Sequence, residues 1–399
     1  MKNKVYRLDE LCDIKSGKRI PKEMDFVTFE TEHPYIRARD IKEGKINTDD
    51  LIYLEDDVFQ KIKRYIINSG DIAITIVGAS VGDTGYASEN VDGYNLTENA
   101  VRLTNYKNNV DSKFLYYVLA QKQYHDYMQL IAGAAAQPKL GIYKVKRIKV
   151  ELPDLKKQKR IADILSTYDN LIENNNKRIK LLEQMAENLY KEWFVRFRFP
   201  EYENVEFEEK KPRGWQVGTE DKKHFAPTIF RYDEFGTIGS FVRGKNITAA
   251  QMIEGNIPVI SAGLQPSGYH NEANVYGVNL TISASGANAG YLQYNLNDIW
   301  AADCSYYQDD VTIWFVYNTL KYLQPVISNL QRGAAQPHVY PKNINRLCVL
   351  IPTEELIHKY NDFVKPYYDE IKVLNQHNQL LTQQRDMILP RLMSGKLEV

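Results

Sequence analysis

After Pro153 the chain changes character. From Asp154 to about Arg198 there is neither Gly nor Pro. Apolar residues recur there in alternating steps of four and three: Ile161, Leu165, Tyr168, Ile172, Asn175, Ile179, Leu182, Ala186, Leu189 and Trp193. The spacing predicts a long helix with a coiled-coil seam, and Asp154 is placed to cap its first turn. A helix buried in one domain's own core would show a wider apolar face and less polar flanks.

The same seam returns 199 residues later, at Tyr360, Val364, Tyr367, Ile371, Leu374, Asn378, Leu381, Arg385, Ile388 and Leu392. Pairing the two helices antiparallel with Asn175 opposite Asn378 sets Ile161 against Leu392, Leu165 against Ile388 and Ile172 against Leu381. Ile179 then faces Leu374, Leu182 faces Ile371, Ala186 faces Tyr367, Leu189 faces Val364, and Trp193 faces Tyr360. Arg385 falls opposite Tyr168, where a cation–π contact would hold it. A single layer of facing Asn sets register in coiled coils, although other registers also fit the spacing. Pro366 and Pro390 each remove a helix hydrogen bond and are candidate kinks in the second helix.

The repeat extends beyond the seams. "GAAAQPKLGIYKVKRIKVELP", starting at Gly133, returns as "GAAQPHVYPKNINRLCVLIP", starting at Gly333. Upstream, "LDELCDIKSGK" resembles "YDEFGTIGSFVRGK", and "ITIVGASVGDTGY" resembles "ISASGANAGY". Each half holds a variable globular region followed by a better-matched segment, which reads as a duplicated domain pair. In the globular regions, "DIAITIV", "ENAVRL", "KRIKVEL", "NLTISAS", "DVTIWFVY" and "NRLCVLI" read as strands. "SKFLYYVLAQKQYHDYMQLI" and "TLKYLQPVISNLQ" read as helical.

The expected fold class is α+β: two pseudo-twofold-related α/β domains joined by two long antiparallel coiled-coil helices. The expected boundaries are 1–153 and 213–352 for the globular domains, and 154–199 and 353–394 for the helices. A linker spans 200–212 and a tail 395–399. Thirty-two residues of helix at ~1.5 Å each would make a bar of ~48 Å.

Composition narrows the class. Of 399 residues, 43% are apolar and 26% charged, which is ordinary for a globular protein. The three cysteines, Cys12, Cys304 and Cys348, lack CxxC spacing. They fit a reducing cytoplasm and oppose a zinc site. No apolar run is long enough for a membrane span, and "MKNKVYRLDE" lacks a signal core. A cytoplasmic protein without membrane attachment is expected. The net charge is zero, which argues against general affinity for nucleic acid. The charge is segregated, however. From Lys139 to Arg160 nine residues are Lys or Arg, opposed only by Glu151 and Asp154.

Three phrases carry a family resemblance: "KKQKRIADILSTYDNLIENNNKRIKLLEQMAENLYKEWFVRFRFP" from Lys156, "PRGWQVG" from Pro212, and the closing "MILPRLMSGKLEV". With the "GAAAQP" and "GAAQP" phrases, they make the chain resemble the specificity subunits of type I restriction–modification systems. The resemblance covers essentially the whole chain. It implies that each variable domain reads one half of a bipartite duplex DNA target. It also implies that the paired helices set the spacing and dock two methyltransferase subunits, which restriction subunits then join. S-adenosylmethionine, ATP and Mg²⁺ would sit on those partners, and none on this chain. The second helix departs from the pattern, because "EELIHKYNDF" lacks the "QKRI" of the first.

Catalytic motifs are missing, so the chain is expected not to be an enzyme. No Pro-Pro pair is available for an amino-methyltransferase loop. The Gly-Lys pairs at 17, 44, 244 and 395 are followed by Arg, Ile, Asn and Leu, so none makes a P-loop. "GASVGDTG" and "SGANAG" do not follow GxGxxG and read as tight turns.

Base and phosphate contacts need Arg, Lys, Asn, Gln and backbone donors. The first domain offers Lys18, Arg19, Lys22, Arg37, Arg39 and Lys42, and the second offers Arg243, Lys245 and Asn246. Gln137 with Lys139, and Gln336 with His338, stand in the repeated phrase. Read singly, each is an ordinary surface residue. As groups they gain weight, since both domains put a basic Gly-Lys loop at the same point. Two alternatives stay open: the recognition part of a split type IIG-like methyltransferase, and a scaffold joining two protein-binding domains.

Overall fold

The computed structural model describes residues 4–42, 44–134, 137–210, 224–330 and 338–397. The chain forms two compact units, Met1–Ile172 with Leu380–Val399, and Glu173–Gln379. Each unit therefore takes in a globular part and a stretch of both long helices.

In the first unit, Lys4–Arg7 pairs antiparallel with Lys149–Leu152. This anchors the start of the chain beside the strand that feeds the first long helix. A four-stranded antiparallel sheet runs in the order Asp13–Ser16, Ala100–Thr104, Ile72–Thr75, Thr84–Tyr86. A three-stranded sheet has Pro34–Ile36 in its centre, antiparallel to Ile52–Tyr53 and parallel to Asn95–Leu96. The strand "IAIT" is buried on both faces. Ile72 and Ile74 enter the main core with Phe114, Leu115, Ile161, Leu165 and Leu392, whereas Ala73 packs on the other side with Ile36 and Leu96. Full burial of each such Leu or Ile is worth about 1.5–3 kcal/mol, so the long helices contribute directly to this core.

The second unit repeats these three sheets strand for strand. Arg231–Glu234 pairs with Cys348–Ile351. The four-stranded sheet runs Val242–Arg243, Cys304–Tyr307, Asn279–Ser283, Leu292–Asn295. Ile257–Ile260 lies antiparallel to Gly268–His270 and parallel to Trp300–Ala301. The same order with the same mixture of strand senses is the duplication expressed as topology.

Two local expectations are corrected. "DVTIWFVY" reads as a strand, but Ile313–Tyr322 is a helix whose residues Ile313 to Leu320 are all buried. A helix buried all round loses its amphipathic period, and a short apolar run is then indistinguishable from a core strand. The single helix expected after Ser112 is two, Ser112–Leu119 and Lys122–Ala132. The first is capped by Asp111, whose side chain accepts from Phe114 N at 2.8 Å.

The first long helix is Leu155–Tyr190, followed by a π-helical turn at Lys191–Val195. The second, Glu354–Met393, runs as one 40-residue helix through Pro366 and Pro390. Every seam position named above is buried or half-buried.

In the first unit, Asp154 accepts from Lys157 N at 3.0 Å, the capping bond. Arg385 is held by Asp169 at 2.6 Å and not by the ring of Tyr168, which corrects the cation–π expectation. Tyr117 donates to the same carboxylate at 2.5 Å. A carboxylate that accepts from both wins over a ring face, because its charge is concentrated and the hydrogen bond is charge-assisted.

In the second unit, Asn175 Nδ2 donates to Asn378 Oδ1 at 2.9 Å, and Asn378 Nδ2 donates to Asn176 Oδ1 at 2.9 Å. Tyr360 Oη donates to Ala186 O at 2.9 Å. Trp193 meets Tyr360 and Phe363 edge-on at 5.8 and 5.6 Å. Tyr368, rather than the seam residue Tyr367, is the deeply buried ring, stacked on Trp314 at 3.5 Å.

Two buried amides tie globular part to helix. Gln158, of the "QKRI" phrase, accepts from Asp111 N at 3.0 Å and donates to Asn109 O at 3.0 Å and Pro153 O at 2.8 Å. In the second unit, Asn361 accepts from Trp314 N at 2.9 Å and donates to Asp310 O at 3.2 Å. Gln158→Leu or Asn361→Leu strands buried backbone groups without partners. Each is expected to cost about 2–3 kcal/mol in chemical denaturation, whereas an exposed control such as Gln384→Leu should change stability by under about 0.5 kcal/mol.

Candidate nucleic-acid interface

The two Gly-Lys loops are built alike. In the first unit the strand Asp13–Ser16 ends at Gly17, whose N–H donates to Ala100 O at 3.1 Å, and Lys18 N–H follows onto Leu96 O at 2.9 Å. In the second, Gly244 N–H donates to Cys304 O and Lys245 N–H to Ala301 O, both at 2.9 Å. Only Gly passes here. A Cβ on Gly17 would meet Thr97 O at 2.1 Å, and one on Gly244 would meet Ala301 O at 2.6 Å.

The lysines that follow are exposed, and each leans on a ring. Lys18 Nζ lies 5.8 Å from the centre of Tyr65, and Lys245 Nζ lies 5.9 Å from that of Trp300. Trp300 Nε1 also donates to Lys245 O at 2.8 Å, fixing the loop from below. The rings hold the side chains weakly and leave the ammonium heads in water.

The repeated phrase lies against the Gly-rich turns. Lys139 bridges Val77, with Gly78 N–H donating to Pro138 O at 3.0 Å and Leu140 N–H to Ile76 O at 2.8 Å. His338 bridges Ser285, and Val339 N–H donates to Ala284 O at 3.0 Å. Gly78 and Gly286 have φ of +96° and +75°, and both face open space. A phrase that must dock on such a turn has a reason to be written twice. His338 stacks on Tyr340 at 5.9 Å. Gln137 is exposed, and Gln336 lies outside the described residues, as does "PRGWQVG".

The other candidates separate into held and open groups. Arg37 gives two hydrogen bonds of 2.9 Å to Asp40, and Arg39 one of 2.7 Å to Asp50. Arg37 is thus largely committed to shaping its own loop, and Arg39 stays 64% exposed. Thr97 N–H donates to Ile36 O at 3.0 Å, so this loop begins beside the Gly17 turn. Lys22, Lys42 and Asn246 are exposed. Arg19 donates to Glu98 at 2.5 Å, and Arg243 to Asp303. Glu98 and Asp303 escape a sequence reading that looks only for donors. Their signal is positional, since each lies just before the central strand of its four-stranded sheet.

No reactive centre competes with this surface among the described residues. The three cysteines are buried, and burial pushes the Cys12 and Cys304 thiols up to about 12. Among the described residues no group of three or more His, Cys, Asp or Glu could hold a metal ion, and no helix is long and apolar enough to cross a membrane. A groove of about 1080 Å³ in the first unit is lined by Asp83, His125, Asp126 and Arg385. Its charges pair with each other: His125 lies 3.3 Å from Asp83.

Residues 1–184 match the family described as the type I restriction modification DNA specificity domain. The MjaIX type I restriction enzyme specificity subunit of Methanocaldococcus jannaschii is 27% identical over 310 residues, covering 73% of this chain and 71% of that one. The HindI specificity subunit of Haemophilus influenzae is 22% identical over 466 residues, covering 99% of both. The crystal structure of a type I restriction–modification S subunit from M. genitalium shares the fold. It has a TM-score of 0.57 and 18% identity, and the match covers 98% of this chain and 96% of that one. Over most of its length the chain is similar to the specificity subunits of type I restriction–modification systems.

The glycine turns give a direct structural test. Gly17→Ala and Gly244→Ala are each expected to cost about 1–3 kcal/mol in thermal or chemical unfolding, because the added Cβ meets a backbone carbonyl and not a movable side chain. Gly78→Ser, in open space but at positive φ, should cost less, about 1 kcal/mol.

Proposed function

We propose that this non-catalytic specificity subunit reads a bipartite duplex DNA target, one half-site with each unit. The observation that carries the reading is the duplicated platform. The same glycine-dependent loop, ring-supported lysine and phrase-on-turn bridge occur twice, with different side chains around them. A shared backbone with divergent side chains suits two readers of unlike sequences. Lys18 and Lys245 then serve as phosphate contacts, and the turn N–H groups as further donors. Residues 1–153 and 213–352 act as the readers, and the helices 154–199 and 353–394 as the spacer.

The helices also serve as the docking site for two methyltransferase subunits, through which restriction subunits join. Half-exposed apolar side chains on them support this. Leu181 and Met185 lie one turn apart in the second unit, 58% and 49% exposed. Leu380 and Met387 lie two turns apart in the first, 54% and 64% exposed. S-adenosylmethionine, ATP and Mg²⁺ belong to those partners, and the assembly works in the cytoplasm.

Exchanging residues 1–153 for the corresponding part of another specificity subunit tests the two-reader reading. Target selection from a randomised duplex library should then change one half-site completely and leave the other intact. Simultaneous change of both halves would contradict it.

A further inference from the structure

Each unit holds one exposed arginine in a three-member chain beside its Gly-Lys turn. In the first, Arg19 Nε donates to Glu98 Oε1 at 2.5 Å, and Thr97 Oγ1 donates to Glu98 Oε2 at 3.3 Å. In the second, Arg243 Nη2 donates to Asp303 Oδ1, and Ser285 Oγ donates to Asp303 Oδ2. The two chains are not copies of one ancestral position. Arg19 follows its Gly-Lys pair, and Arg243 precedes its own. Both nonetheless arrive at the same device: arginine, carboxylate, hydroxyl. The arginine side chains are 73% and 39% exposed, and the other guanidinium nitrogens have no partner among the described residues.

Phosphate binding does not explain this device. A carboxylate at hydrogen-bond distance nearly cancels the arginine's charge, which weakens the attraction to a polyanion and the release of counterions. What the carboxylate does supply is orientation. It fixes the plane of the guanidinium, and the hydroxyl fixes the carboxylate. A fixed, planar fork of N–H donors matches two acceptors at a set separation, and in the major groove guanine O6 and N7 are that pair. The neighbouring Lys18 and Lys245, without a carboxylate partner among the described residues, suit the phosphates.

Resting on the DNA-reading function above, we propose that Arg19 and Arg243 each read a guanine in their own half-site, with Glu98 and Asp303 as the positioning residues that aim them. The two positions then differ in where they fall within the half-sites, because the arginines approach from opposite sides of the turn.

The test is selection from a randomised duplex library by the full chain, alone and co-purified with its methyltransferase subunits. Wild type should enrich a bipartite motif with an invariant G in each half. Arg19→Lys keeps the charge and removes the fork. It should lower preference for G at one position of one half by about 5- to 150-fold, with the other half unchanged as an internal control of folding. Arg243→Lys should do the same in the other half. Glu98→Gln and Asp303→Asn should relax those same positions while affinity for non-specific duplex holds or rises, since each frees a positive charge, an outcome that a purely structural role would not give. A bipartite motif that survives both Arg→Lys variants overturns this proposal and leaves the two-reader function standing. Absence of any enriched motif with wild type overturns both.

Discussion

The register of the two long helices is the constraint on which the other arrangements depend. An apolar seam alone does not define it, since Leu and Ile layers of similar size tolerate a shift by a heptad. Polar contacts do. In the second unit the amides of Asn175 and Asn378 meet, with Asn176 closing the set. In the first unit the task falls to Asp169, which accepts from Arg385 and from the Tyr117 hydroxyl. Burial, reinforced by the charge of Asp169, pushes that hydroxyl well above its ordinary range and keeps it a donor. Such groups add little net stability, because their desolvation offsets their attraction, but a wrong register would leave them unpaired.

Each globular part is fixed to the helices by the same logic, with a buried amide that satisfies backbone groups of the domain. Gln158 does this in the first turn of one helix, and Asn361 does it later in the other. Gln158 corresponds by the 199-residue offset to Ile357, one turn before Asn361. The loss of the "QKRI" phrase from the second helix is therefore accompanied by a substitute anchor on the next turn, and the departure from the pattern acquires a structural reason.

Much of this was legible because it depends on spacing. A seam repeats within a few residues, and a duplicated chain declares itself by a constant offset. Strands such as Ile72–Thr75 and Asn279–Ser283 sit where apolar runs between turn residues predict. Reading failed where the deciding partner is remote. Tyr168 looked suitable for Arg385 until the fold brought Asp169 and Tyr117 together. Glu98 and Asp303 lie 79 and 60 residues from the arginines they hold. Ile313–Tyr322 looked extended because its burial on every side erases the helical period. The sequence makes the Gly-Lys loops visible, whereas the rings of Tyr65 and Trp300 beneath them become visible only in the fold.

The proposal with the widest reach is that the paired helices space two DNA readers. It is tested most directly by lengthening both helices together, with four helix-forming residues inserted after Asn176 and four after His377. Four residues add about 6 Å and nearly one full turn, so the seam is only slightly rotated. Target selection with the folded variant should recover the same two half-sites with a gap longer by about two base pairs, at ~3.4 Å each. An unchanged gap in a folded, DNA-binding variant would contradict the account and place the control of spacing in the partner subunits.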